Sequence, residues 1–104
     1  HCRPGDEILA HETAHILTSE GGAHAALGGF QILPLKGPRG MFTAEDVRAA
    51  IRPKTRYAPP QRLLEVEQTA NIGGGAIWPP APPNAPIGSP RVRHCPQPTT
   101  DQRI

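Results

Sequence analysis

Aromatic side chains are scarce in this chain of 104 residues. One Trp, one Tyr and two Phe make up 4% of it. Without rings interleaved among basic residues, a stacking platform for nucleic acid finds no support. Charge adds none. Residues 1–78 hold eight Lys or Arg against eight Asp or Glu, and the net charge of +2 comes from Arg91, Arg93 and Arg103 set against Asp101. No apolar run approaches the roughly 18 residues of a membrane-crossing helix, which argues against a membrane partner. Nothing near His1 has the charged and apolar regions of a secretory signal. Thiols are few as well. Cys2 and Cys95 sit near opposite ends, which is too little for a disulfide framework and fits reduced thiols in a cytoplasmic protein. No C-x-x-C is present, and the pairs His1–Cys2 and His94–Cys95 are adjacent rather than at metal-ligand spacing.

Proline and glycine, at fourteen and eleven residues, are abundant. The prolines divide the chain at about residue 78. Pro79 to Ile104 contains eight of them in 26 residues. Proline lacks a backbone donor and fixes φ, so this stretch supports neither a central strand nor a helix. It reads as an extended or disordered linker, or equally as the product of a reading-frame slip. Residues 1–78 are the candidate domain, and the chain, opening on His1, is read as an internal piece of a longer protein.

Within 1–78 short apolar runs alternate with helical patterns. Glu7–Ala10 is a short buried strand candidate after the Pro4-Gly5 turn. His11–Glu20 is predicted helical, with Gly21-Gly22 as its stop, and Ala23–Leu27 forms a further helical turn. Phe30–Leu35 is a second strand candidate, broken near Pro34. Thr43 is a good helix N-cap with Asp46 three residues on. Val47, Ala50 and Ile51 repeat at helical spacing until Pro53 ends the helix. Leu63–Glu67 is a third strand candidate, followed by a loop containing Gly73-Gly74-Gly75. Strands separated by helices at these spacings predict a mostly parallel α/β layer. Three strands leave two exposed edges, so the sheet is expected to need neighbours beyond this chain.

Histidine carries the candidate chemistry. His11-Glu12-Thr13-Ala14-His15 fits the H-E-x-x-H pattern, in which two histidines on one helical face hold zinc and the glutamate acts as base. That pattern is short and easily met by chance, Glu20 is the nearest third ligand, and Gly21-Gly22 ends the helix at once. The plain alternative is a pair of solvated histidines at a helix start. A further alternative follows from position. His15 comes just after the carboxyl end of the first strand, where open α/β sheets bind ligands, and an imidazole there can stack on a flat ring or donate a hydrogen bond. Glu67 holds a comparable place after the third strand, with Gln68, Thr69 and Asn71 following. The Gly73–Gly75 run permits tight turns and close backbone approach. It matches neither a Walker A loop nor a dinucleotide fingerprint. No Ser or Cys is paired with a base at a recognisable spacing, so a nucleophilic triad has no support.

Four segments in order resemble the L-threonine aldolases, grouped with the aromatic amino acid β-eliminating lyases. They are His1-Cys2-Arg3-Pro4-Gly5-Asp6-Glu7-Ile8-Leu9-Ala10; Ala14-His15-Ile16 with Glu20-Gly21-Gly22-Ala23; Pro34-Leu35 with Gly37, Gly40, Thr43-Ala44-Glu45-Asp46-Val47 and Ile51-Arg52-Pro53; and Leu63-Leu64-Glu65-Val66-Glu67-Gln68-Thr69-Ala70-Asn71 with the glycine run and Pro79. Each is weak alone, and their succession over residues 1–79 is fairly specific. The resemblance implies a partial three-layer sheet from the large domain of an aspartate aminotransferase-like (fold type I) enzyme. It implies pyridoxal 5′-phosphate (PLP) as cofactor, and a carbon–carbon lyase that cleaves β-hydroxy-α-amino acids to glycine and an aldehyde. It implies that His15 is the catalytic histidine stacked on the cofactor ring, with Glu67 and Asn71 in supporting, cofactor-binding roles, and no metal. The complete enzyme would be a homotetramer taking a small amino-acid substrate.

Two departures qualify what carries over. Many relatives have a histidine associated with the substrate hydroxyl where this chain has Ala70. The family's phosphate-binding region, the aspartate on the pyridine nitrogen, its nearby arginine and the cofactor-bearing lysine have no counterpart here. Lys36 and Lys54 are the only lysines, and neither matches by position. The chain alone is therefore expected to be inactive. The rival expectation is a non-catalytic interaction segment that uses its sheet edges or proline-rich tail.

Overall fold

A computed structural model describes residues 1–79. Apart from Pro79, the tail read as disordered or frame-shifted lies outside the described residues. The element order is β1 (Glu7–His11), α1 (His15–Thr18), α2 (Ala23–Ala26), β2 (Gln31–Leu35), a 3₁₀ turn (Pro38–Gly40), α3 (Ala44–Ala50) and β3 (Gln61–Leu64). The strands form one sheet in the order β2-β1-β3, and both pairings are parallel.

β1 is central, and all five of its residues are buried, as a parallel strand covered on both faces must be. Successive side chains alternate between faces. Leu9 and Leu35 join Phe42 in a core that Leu33, Leu64, Val66 and Trp78 extend, and Val47 and Ala50 of α3 close it. Phe42 and Trp78 meet edge to face at 4.8 Å, a favourable aromatic geometry. Ile8 and Ala10 point to the opposite face and are buried there. Connection handedness explains the two-sided cover. The chain crosses from β1 to β2 in one direction and returns past β1 to β3 in the other. Crossovers of the same right-handed sense then lie on opposite faces, with α1 and α2 on the Ile8–Ala10 side and α3 on the Leu9 side.

Several local expectations are corrected. The predicted helix from His11 shrinks to four residues. His11 instead closes β1, paired with Leu35, and Gly21 and Gly22 at φ 57° and 76° stop further turns. β2 runs through Pro34 rather than breaking there, because β2 is an edge strand among the described residues and can spare the missing N–H. β3 starts earlier and ends sooner than Leu63–Glu67. Its pairing shifts by one residue at Arg62, between Gln61 and Leu63, and the assigned ladder stops at Leu64. Thr43 caps α3 as expected. Its hydroxyl accepts the Asp46 N–H at 3.1 Å, and the Asp46 carboxylate takes the Thr43 N–H at 2.7 Å. The Thr43 hydroxyl also donates to the Asp46 carboxylate at 2.6 Å, and this bond, then the one from the Thr43 N–H, holds the Asp46 carboxyl below its ordinary pKa. Ile51, expected on the buried face, is 59% exposed because it follows the last helical turn.

The contrast between Leu9 and Ile51 is testable. Leu9→Ala should cost about 2–5 kcal/mol by opening a cavity in the core. Ile51→Ala should stay within about 0.5 kcal/mol. Urea denaturation followed by circular dichroism checks both.

Candidate active site

β1 and β3 are neighbours, so the segments leaving their carboxyl ends run side by side. His15 opens α1, and Ala14 before it offers no side-chain cap. The free first-turn N–H must find an acceptor elsewhere. Glu67, on the segment after β3, provides it. Its Oε1 accepts the His15 backbone N–H at 3.2 Å and also the ring Nδ1–H of the same residue. Asn71 stands at the other edge of the ring, its Nδ2 3.3 Å from His15 Nε2. The structure thus brings together the three residues singled out from sequence.

Both ring nitrogens of His15 are engaged, so what the imidazole has left to offer a ligand is a flat face rather than a ring nitrogen. The side chain is 38% exposed while Glu67 is 9% exposed, so a solvent-reachable ring rests on a buried anchor. The hydrogen bond His15 donates to Glu67, and then the charge of Glu67, raise the His15 pKa above the ordinary 6.5 against the opposing effect of burial. Glu20 and Glu65 add smaller upward pulls. The neutral ring with its proton on Nδ1 accepts from the Asn71 amide at Nε2. The imidazolium, with N–H groups at both positions, needs the amide turned over to present its oxygen.

His11 is occupied differently. The Thr13 N–H donates to His11 Nδ1 at 3.1 Å, so Nε2 carries the proton and donates it to the Gly37 carbonyl at 3.0 Å. This buried imidazole ties the loop after β2 to the end of β1. His11 lies on a strand and His15 on a helix, so the single helical face that a zinc-binding H-E-x-x-H requires is not formed. Among the described residues no three His, Cys, Asp or Glu side chains converge as a metal site. The zinc reading at His11 and His15 is therefore withdrawn.

The glycine run is structural. Ala70 and Ala76 bridge in antiparallel fashion around it, and Gly74 and Gly75 take φ of 79° and 70°. A Cβ on Gly73 would collide with the Arg39 carbonyl, so the loop after β2 and the loop after β3 touch through backbone. This packing sets Asn71, at the start of the turn, beside His15. Sequence reasoning missed Glu65, which also acts on His15. The Glu-x-Glu alternation at the end of a strand was the available signal, since residues two apart share a face.

The raised His15 pKa fixes the sign of a pH effect. The His15–Glu67 pair stabilises the fold fully below 6.5, where unfolded and folded histidine are both charged. That contribution fades as pH rises through the higher folded pKa. Glu67→Gln keeps an acceptor oxygen but removes the charge. Its melting temperature should fall furthest below the native value in mildly acidic buffer, and the gap should narrow above neutrality. A gap that widens with pH would show that the pair does not hold the site.

A curated, uncharacterised protein of Caenorhabditis elegans is 34% identical over 80 residues, covering 76% of this chain and 19% of that protein. The chain thus spans about a fifth of the length of this relative. The three-stranded parallel sheet with its helices is a part of the aspartate aminotransferase-like, PLP-dependent fold that the family match implies. Residues 1–84 match the β-eliminating lyase family, and the chain belongs to that family.

Proposed function

We propose that the enzyme built from this chain cleaves β-hydroxy-α-amino acids, threonine or allo-threonine, into glycine and an aldehyde, and that His15 lies against the ring of its PLP. One observation carries the reading: a partly exposed imidazole gripped at both edges, at the carboxyl end of the central strand. That donor set suits a planar heterocycle, which needs a flat partner rather than a further hydrogen bond. When bound, PLP supplies the sink for the electron pair released as the Cα–Cβ bond breaks.

The residues of this chain do the orienting. Glu67 fixes the His15 proton at Nδ1 and, through the backbone N–H, the start of α1. Asn71 sets the tilt of the ring from the other edge. Ala70 is 1% exposed, and a Cβ on Gly40 would come within 2.6 Å of its methyl. No proton donor reaches the substrate from that position, so either another group of the complete enzyme holds the hydroxyl or the substrate preference differs in this branch. Lys36 and Lys54 are exposed. In this reading neither carries the cofactor, and the chain alone does not turn over substrate.

NMR of the full chain with added PLP tests the ring contact. The His15 ring protons should move upfield from the ring current, and unchanged His15 signals at concentrations that shift other residues would remove the reading. Borohydride added to the same mixture should leave Lys36 and Lys54 unlabelled, and glycine should not form from L-threonine. A reduced adduct on either lysine would overturn the assignment of these lysines.

A further inference from the structure

Glu65 lies one residue beyond β3, and its N–H still donates to the Leu9 carbonyl at 2.8 Å. This bond continues the parallel register past the Leu9–Leu64 pair. By strand alternation its side chain turns to the Ile8–Ala10 face, the side that carries α1. Glu67, two residues on, turns the same way. Two carboxyl groups therefore follow one another on the side of the sheet that carries His15. They are not equivalent. Glu67 is bonded to His15 twice, whereas Glu65 is more than half buried and its Oε2 is a buried atom with no hydrogen-bond partner. An ionised carboxylate is poorly served by such a place, and a neighbouring like charge makes it worse.

We propose that Glu65 is a positioning residue of the site, acting through His15: its proton decides whether one carboxylate or two face the imidazole. Burial first, and then the charge of Glu67, push the Glu65 pKa up to about 7, with His15 pulling the other way. Among the surrounding elements, Asp6 before β1 is already paired with Arg62 of β3 at 3.6 Å. Ile8 and Ala10 on β1 are apolar, α2 carries only His24, which lies near Phe30, and Glu20 after α1 acts on His15. With Glu65 protonated, the imidazolium and Glu67 cancel. With Glu65 ionised, the trio carries one net negative charge, which holds the imidazolium more firmly and favours a cationic ring or amine beside it. Proton uptake by Glu65 and His15 is thus coupled, and the site changes charge near neutral pH. The consequence for a cationic ring rests on the proposed function, while the coupling does not.

Cofactor-free NMR titration of the full chain separates the two. In the native chain the Glu65 side-chain carboxyl carbon should titrate near 7, and the His15 ring should show a second inflection at the same pH. In Glu65→Gln, which imitates the neutral acid, the His15 midpoint should fall and that inflection should vanish. In His15→Asn the Glu65 midpoint should rise further, an effect that a purely structural role for Glu65 would not produce. A Glu65 midpoint in the ordinary carboxylate range overturns the proposal even if the variants fail to fold. So do superimposable His15 curves in native chain and Glu65→Gln. Either failure leaves the ring-contact test with PLP standing, and a failed ring contact leaves this titration intact.

Discussion

The carboxylate of Glu67 is the contact on which the site depends. One oxygen takes both the backbone N–H and the ring N–H of His15. It therefore does two jobs that usually fall to different groups. It caps a four-residue helix that has no cap of its own, and it fixes the tautomer and edge of an imidazole. A helix this short gains little from internal hydrogen bonds. It holds its place because the sheet beneath it and the carboxylate beside it define where it starts.

The sheet makes that contact possible. β1 and β3 are far apart in sequence yet adjacent in space, and their parallel pairing delivers both carboxyl ends to the same rim. The core around Leu9, Leu35 and Phe42 sets the spacing between strands and α3. Close backbone contact at Gly73 and the His11–Gly37 bond then pin the loops that follow β2 and β3. Asn71 reaches His15 because these loops are locked against one another. The site is therefore a property of three loops at one end of the sheet, a place where backbone is freed from the ladder and side chains of different strands converge.

Much of the fold was legible along the chain. The parallel layer, the order of strands and helices, and the Thr43–Asp46 cap follow from apolar runs, turn formers and capping chemistry, which are local signals. The errors fell where tertiary contacts outweigh local preference. His11 reads as the start of a helix because Ala14 and Leu17 fall on one side of the run that Gly21-Gly22 stops, but its ring and backbone are claimed by Gly37, Thr13 and the β2 ladder. Pro34 reads as a strand break because proline has no donor, but β2 is at the edge among the described residues, where that donor has no partner to lose. Ile51 reads as a core residue because of its periodicity, but the helix ends one residue too soon to bury it.

What the sequence determined by itself is the kind of layer, the residues with chemistry to offer and, through four ordered segments, the family. Those depend on side-chain type and spacing, which the chain carries directly. Only the tertiary structure decided which histidine is a strut and which faces outward, and that Glu65 stands beside Glu67 with one oxygen unpartnered. The physical reason is distance along the chain. His15 and Glu67 lie 52 residues apart, and nothing local says that they meet. Parallel pairing of β1 with β3 brings them together, and the raised pKa of His15 exists only once Glu67 is there.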